Sequence, residues 1–155
     1  MEVLFDVESR SYVISNDPAR LDRDVIHDFL SRESYWARGV PRDVLDRAID
    51  GSIPFGLFDE DGGRQVGFAR VITDRATFAW LCDVFVLEAR RGRGLGKRLI
   101  ETIVAHPDLQ GLRWFLLATA DAHELYRGFG FQELTPDKVS RLMAVWRASA
   151  EVYGD

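Results

Sequence analysis

Hydrophobic and polar positions follow two rhythms along this chain. Between residues 53 and 87 the apolar residues come in short runs: Ile53–Asp59, 65–73 and 77–87. Glu60-Asp61-Gly62-Gly63 and Asp74-Arg75-Ala76 divide them. Short runs bounded by Gly and Asp clusters predict strands, the first two as a hairpin. Elsewhere the period is helical. Leu21, Val25, Ile26, Phe29 and Leu30 lie on one face of a helix announced by Asn16-Asp17-Pro18, and Val44, Leu45, Ala48 and Ile49 mark a second that stops at Gly51. Leu95, Leu99, Ile100, Ile103 and Val104 give a third, ending near His106-Pro107.

Shorter signals complete the outline. Residues 12–15 and 114–118 read as strands, and Asp121 as the N-cap of a helix holding Leu125 and Tyr126. Gly128 and Gly130 end that helix, and 131–134 reads as another strand. The tail fits two periods: Val139, Leu142, Met143 and Trp146 share a helical face, while Leu142, Ala144 and Trp146 share a strand face. This order of elements predicts an α/β (α+β) domain around a mixed sheet.

Composition narrows the function classes. A length of 155 residues fits one domain spanning 1–155 with a core of its own. The net charge of −5 argues against a general nucleic-acid binder, which carries a basic face. No apolar run is long enough to span a bilayer, and the N-terminus lacks the basic start of a signal peptide. A cytoplasmic protein is expected. Cys82 is the single cysteine, so no intramolecular disulfide forms, and the three histidines show no metal-ligand spacing.

The candidate chemistry lies between the strand 77–87 and the third helix. Arg90-Arg91-Gly92-Arg93-Gly94-Leu95-Gly96-Lys97 interleaves glycine with arginine at a strand-to-helix junction. Glycine permits close backbone approach, the first helical turn leaves N–H groups unpaired, and the helix dipole is positive there. This predicts a phosphate cradle. A Walker A loop is excluded, because Arg98 follows Gly96-Lys97 and Arg91 stands where its first glycine belongs. A dinucleotide fingerprint is excluded by the Gly92-x-Gly94-x-Gly96 spacing.

Arg91-Gly92-Arg93-Gly94-Leu95-Gly96 resembles the Arg/Gln-x-x-Gly-x-Gly/Ala loop of the GNAT superfamily of N-acetyltransferases. Ala122-His123-Glu124-Leu125-Tyr126-Arg127-Gly128-Phe129-Gly130-Phe131 is similar to a second element of that family, A-x-x-L-Y-x-x-x-G-F, in the same order. The resemblance spans about 53–134. It implies a mixed, mostly antiparallel sheet of six to seven strands, flanked by about four helices and closed by a final strand in the tail. It also implies that the loop residues Arg91 to Lys97 bind the pyrophosphate of acetyl-CoA, and that the backbone of Val84, Phe85 and Val86 pairs with the pantetheine arm. Tyr126 would then meet the cofactor and protonate the departing thiolate. Glu88 replaces a common proline, and Thr119 replaces an asparagine that touches the cofactor in many members.

For the general base, Asp83 is the first candidate, because a carboxylate inside an apolar strand needs a reason; a salt bridge to a neighbouring Arg is the competing reading. Glu33, Asp121, His123 and a water chain are the others. Tyr35, Trp36 and Arg38, with Trp80, are candidates for the acceptor pocket. The expected activity is transfer of an acetyl group from acetyl-CoA to a small-molecule or peptide amine, without a metal. The alternative is a non-catalytic acyl-CoA-binding module on the same fold. No nucleic acid or membrane partner is expected, and a homodimer is one outcome for the oligomeric state.

Overall fold

The computed structural model describes residues 1–154. Six strands form one sheet in sequence order: β1 (Glu2–Val7), β2 (Arg10–Ser15), β3 (Ile53–Asp59), β4 (Arg64–Thr73), β5 (Phe78–Val86) and β6 (Trp114–Leu117). Neighbours are antiparallel except β5 and β6, which are parallel. The helices are α1 (Arg23–Asp28), α2 (Arg42–Asp50), α3 (Leu95–Val104), α4 (His123–Arg127), α5 (Pro136–Val139) and α6 (Ser149–Tyr153). Among the described residues no helix is long and apolar enough to cross a membrane.

The sheet is covered on both faces. Leu95, Leu99, Ile100 and Ile103 of α3 pack on Ile14, Phe55, Leu57, Val71 and Leu81. Burying four such side chains contributes about 6–12 kcal/mol before entropy is counted. On the other face Ile26, Phe29, Leu30, Leu45 and Ile49 meet Phe68 and Phe85, with the Phe29 and Phe85 rings stacked at 4.0 Å. β3 is buried at every residue, which accounts for its nearly unbroken apolar run.

Several elements depart from the pattern-based outline. β1 was not anticipated, although Val3, Phe5 and Val7 alternate with polar or exposed neighbours. The helix expected from Asn16-Asp17-Pro18 begins at Arg23 instead: Asp17 caps only a short 3-10 turn, and Asp22 Oδ1 accepts the N–H groups of Asp24 and Val25. Residues 131–134 form no strand: among the described residues they pair with none, and they lie across a groove from β6. The tail supplies no final strand. Residues 142–148 have no regular structure, and only the short α5 and α6 flank them.

Candidate active site

The site is built around the place where β5 leaves β6. The two strands pair from Phe78↔Trp114 to Leu81↔Leu117, and β5 then continues to Val86 without β6 beside it. A bulge between β4 and β5 lies just beyond this point. Phe68 pairs with Phe85 and Arg70 with Cys82, so Asp83 and Val84 together face Ala69 alone. Asp83 adopts φ 56°, a left-handed conformation that costs about 1–2 kcal/mol for a residue other than glycine. Two bonds hold it there. Trp36 Nε1–H donates to Asp83 Oδ1 at 2.9 Å, and Arg70 Nε–H donates to Oδ2 at 2.5 Å. Asp83 is buried and Arg70 only partly exposed, so the ion pair is largely shielded from water. Asp83 therefore has the salt bridge that was the competing reading of its place in an apolar strand. Val84 and Val86 are half-buried and Phe85 is core, so what β5 offers on the open side is backbone.

At the end of β5 the glycine loop has the geometry of an anion site. Gly92 (φ 79°) and Gly94 (φ 77°) are left-handed, and a Cβ at either would meet nothing within 4 Å. Gly94 is the N-cap of α3 and brings no capping side chain, so the first-turn N–H groups have no side-chain acceptor at the cap. The arginines divide their work. Arg91 Nε–H donates to the Val86 carbonyl at 2.9 Å, which ties the loop to the strand end. Arg93 donates to the Ala89 carbonyl at 2.9 Å and lies 3.4 Å from Glu8. Arg90 is structural, pairing at 2.7 Å with the buried Asp59, which also receives Arg10. Gly96 lies behind the rim near Val86, and Lys97 is exposed on the first turn of α3 beside the buried Leu95. These residues suit a pyrophosphate: open space at the glycines, free N–H groups and surrounding cations.

A cavity of about 610 Å³ opens beside the split strands. Tyr35, Trp36, Trp80, Arg70, Asp83, Asp121, Thr119, Tyr126 and Tyr153 are in its lining. Tyr35 and Trp36 pack edge to face at 5.0 Å, and the Ala120 N–H donates to the Tyr35 hydroxyl at 3.1 Å. Arg38 is exposed and outside this lining, and so is Glu33. Tyr126 is 8 % exposed and sits between this cavity and a second groove beyond β6. Burial, reinforced by Asp121 and Tyr35, pushes its phenol up to about 12. Asp121 does not cap α4; the Ala122 N–H instead donates to Thr119 Oγ1 at 3.0 Å. Thr119 keeps its hydroxyl proton as a donor. His123 faces the second groove. Cys82 is half-buried, and burial raises its thiol to about 12.

Sequence reasoning missed Arg70 and Tyr153. A charge inside the apolar run of β4 was the available signal for Arg70, of the same kind that singled out Asp83. Tyr153 left no local signal, because α6 reaches the cavity only through the tertiary fold.

The split parallel strand pair, the glycine-arginine loop at the start of α3 and the buried Tyr126 are the candidates for a functional site. The family model for the Acetyltransferase (GNAT) domain matches residues 55–133. The chain belongs to the GNAT family of acetyltransferases. It is 34% identical over 135 residues to a protein of Gibberella zeae assigned as an acetyltransferase, covering 74% of this chain and 75% of that one. It is 29% identical over 153 residues to serotonin N-acetyltransferase 2, chloroplastic, of Oryza sativa subsp. japonica, covering 95% of this chain and 74% of that one. The crystal structure of a protein of Xanthomonas campestris pv. campestris assigned to the GNAT family superposes with a TM-score of 0.84 at 49% identity, covering 89% of this chain and 94% of that one.

Proposed function

We propose that the protein transfers an acetyl group from acetyl-CoA to a primary amine by direct attack within a ternary complex. The divergence of β5 from β6 after Leu81↔Leu117 carries this reading, because it frees strand backbone between an anion cradle and a buried phenol. Acetyl-CoA supplies the activated thioester. The N–H groups of Gly92 to Lys97, with Arg91, Arg93 and Lys97, would hold its pyrophosphate. The free edge of Val84, Phe85 and Val86 would take the pantetheine arm, and an N–H near Val86 would polarise the thioester carbonyl. Thr119 can donate to the same arm.

The acceptor cavity recognises an amine by its surroundings. Tyr35, Trp36 and Trp80 provide aromatic walls, which attract a cation. Asp121 provides negative charge, while Asp83 is neutralised by Arg70. An amine must shed a proton to attack, and that proton leaves towards the exposed Asp121 and water. Tyr126 donates to the sulfur as the C–S bond breaks. A phenol at about 12 beside a thiol of ordinary pKa near 8.5 makes full transfer uphill by about 5 kcal/mol. The phenol therefore stabilises the thiolate by hydrogen bonding, and the second proton, lost from the nitrogen once the amide has formed, neutralises it.

Free-thiol release from acetyl-CoA over a panel of amines tests the reading. Primary alkylamines that carry an aromatic ring belong first in the panel, given the cavity walls and the name of the rice relative. Amine-dependent release supports a transferase. Tight coenzyme A binding with no release over any amine class would instead support the non-catalytic module.

A further inference from the structure

Arg70 carries more hydrogen-bonding capacity than its ion pair uses. A guanidinium has several N–H donors in a planar fork. The Nε–H goes to Asp83 Oδ2. Among the described residues no acceptor meets Nη1 or Nη2, and neither atom is sealed from the surface. The side chain is 15 % exposed and lines the cavity. Shielding a charged group from water is costly when its donors stay unmet. The single Nε bond to Asp83 leaves the forked end of Arg70 unexplained.

The surroundings of that fork are polarised. Arg70 pairs with Cys82 across β4 and β5, and Ile72 with Trp80, so Arg70 and Trp80 share one face of the sheet. Trp36 reaches the same place through Asp83 Oδ1, and Tyr153 lines the cavity with them. Among the described residues Arg70 is the single cation in the lining. Asp83 balances its charge without engaging Nη1 or Nη2. The other acid in the lining is Asp121, which acts on Tyr126. β5 separates the two ends, since Arg70 is on β4 and Asp121 follows β6. The cavity thus has an acidic end at Tyr126 and a donor end at Arg70.

We infer that the Nη groups of Arg70 bind a carboxylate of the acceptor, which makes the substrate a free amino acid rather than a simple amine. This rests on the acetyl-transfer reading above. A carboxylate matches the planar fork of a guanidinium with two parallel bonds. The amine at the other end of the molecule is drawn to Asp121, on the side where Tyr126 would meet the thioester. An amino acid brings one ammonium and one carboxylate, so it adds no net charge to a site partly shielded from water. A peptide N-terminus has its neighbouring carboxyl tied up as an amide and offers Arg70 no anion. The aromatic walls favour a large apolar or aromatic side chain.

Matched pairs that differ only by the carboxylate test this: phenylalanine with phenethylamine, tryptophan with tryptamine, and ε-aminocaproate with pentylamine. Thiol release should give a kcat/KM about 10- to 100-fold higher for the carboxylate member of at least one pair, the worth of one charge-assisted contact. Arg70→Met with Asp83→Asn removes the fork without leaving a lone charge, and the Asn side chain can still accept the Trp36 Nε1–H. The ratio should then fall to about one. A merely structural loss would lower both members alike and leave the ratio where it was. Calorimetric binding of the same pairs to protein saturated with coenzyme A needs no turnover. Carboxylate-dependent binding without thiol release, abolished in the double variant, would uphold the Arg70 site and overturn acetyl transfer. Thiol release with no carboxylate preference in any pair would overturn the Arg70 site and leave acetyl transfer standing. A preference that survives the double variant would overturn it equally.

Discussion

Gly94→Glu, set against Gly63→Glu as a matched control, separates backbone strain from loss of the anion site. Gly94 (φ 77°) caps α3, and Gly63 (φ 64°) lies in the β3–β4 turn. At both, a Cβ would meet nothing within 4 Å, so neither substitution creates a clash. Both place a side chain in the left-handed region, at a cost of about 1–2 kcal/mol. For a chain of this length that corresponds to a fall in Tm of roughly 2–8 °C in each variant. Binding should divide them. A carboxylate about 6 Å from a phosphate charge, at an effective dielectric near 20, is repelled by about 3 kcal/mol. Coenzyme A affinity should therefore drop at least ~100-fold in Gly94→Glu and stay unchanged in Gly63→Glu. Calorimetric titration with coenzyme A and thermal denaturation give the two quantities. Equal affinities in the two variants would refute the cradle, whatever happened to stability.

Other parts of the site give shorter tests. Tyr126→Phe should lower kcat about 10- to 100-fold while the KM for acetyl-CoA moves little, as read by thiol release; equal turnover would remove Tyr126 from the chemistry. Asp83→Ala strands the largely shielded Arg70 guanidinium and should destabilise the fold by up to about 3 kcal/mol in urea denaturation, a loss that Arg70→Met introduced alongside it should partly restore. Cys82, with its thiol held at about 12, should react with iodoacetamide at pH 8 roughly a thousandfold more slowly than after denaturation. The same shift fixes a sign for stability. The unfolded thiol ionises from its usual 9.0 upward while the folded thiol keeps its proton, so stability falls as pH rises from about 9 to 12, with Tyr126 adding to the loss from its usual 10. Cys82→Ala should flatten that decline in an alkaline denaturation series.

What could be read from the chain followed the range of the forces involved. β3 matches its apolar run residue for residue, because a strand buried on both faces writes its limits into hydrophobicity. α3 and its glycine entry were equally plain, since N-cap geometry and helical period are local. β1 carries an alternation at Val3, Phe5 and Val7 that was present but unread. The bulge at Asp83 leaves no local trace. It comes from a register mismatch between β4 and β5, settled by Arg70 and Trp36, residues 13 and 47 positions away. Arg38 sits in the same loop as Tyr35 and Trp36, yet it is exposed and outside the cavity lining, a separation that loop membership alone does not reveal. The tail shows a further limit. Its residues fit a helical face and a strand face alike, and the family resemblance implied a strand, yet among the described residues 142–148 form neither.

The central claim is that the split between β5 and β6 holds acetyl-CoA with its sulfur at Tyr126. A crystal structure of the coenzyme A complex tests it most directly. The account predicts the pyrophosphate against the N–H groups of Gly92 to Lys97, the pantetheine arm along Val84 to Val86, and the sulfur within about 3.2 Å of the Tyr126 hydroxyl or one water away. Coenzyme A bound elsewhere, or a sulfur out of reach of Tyr126, would contradict it.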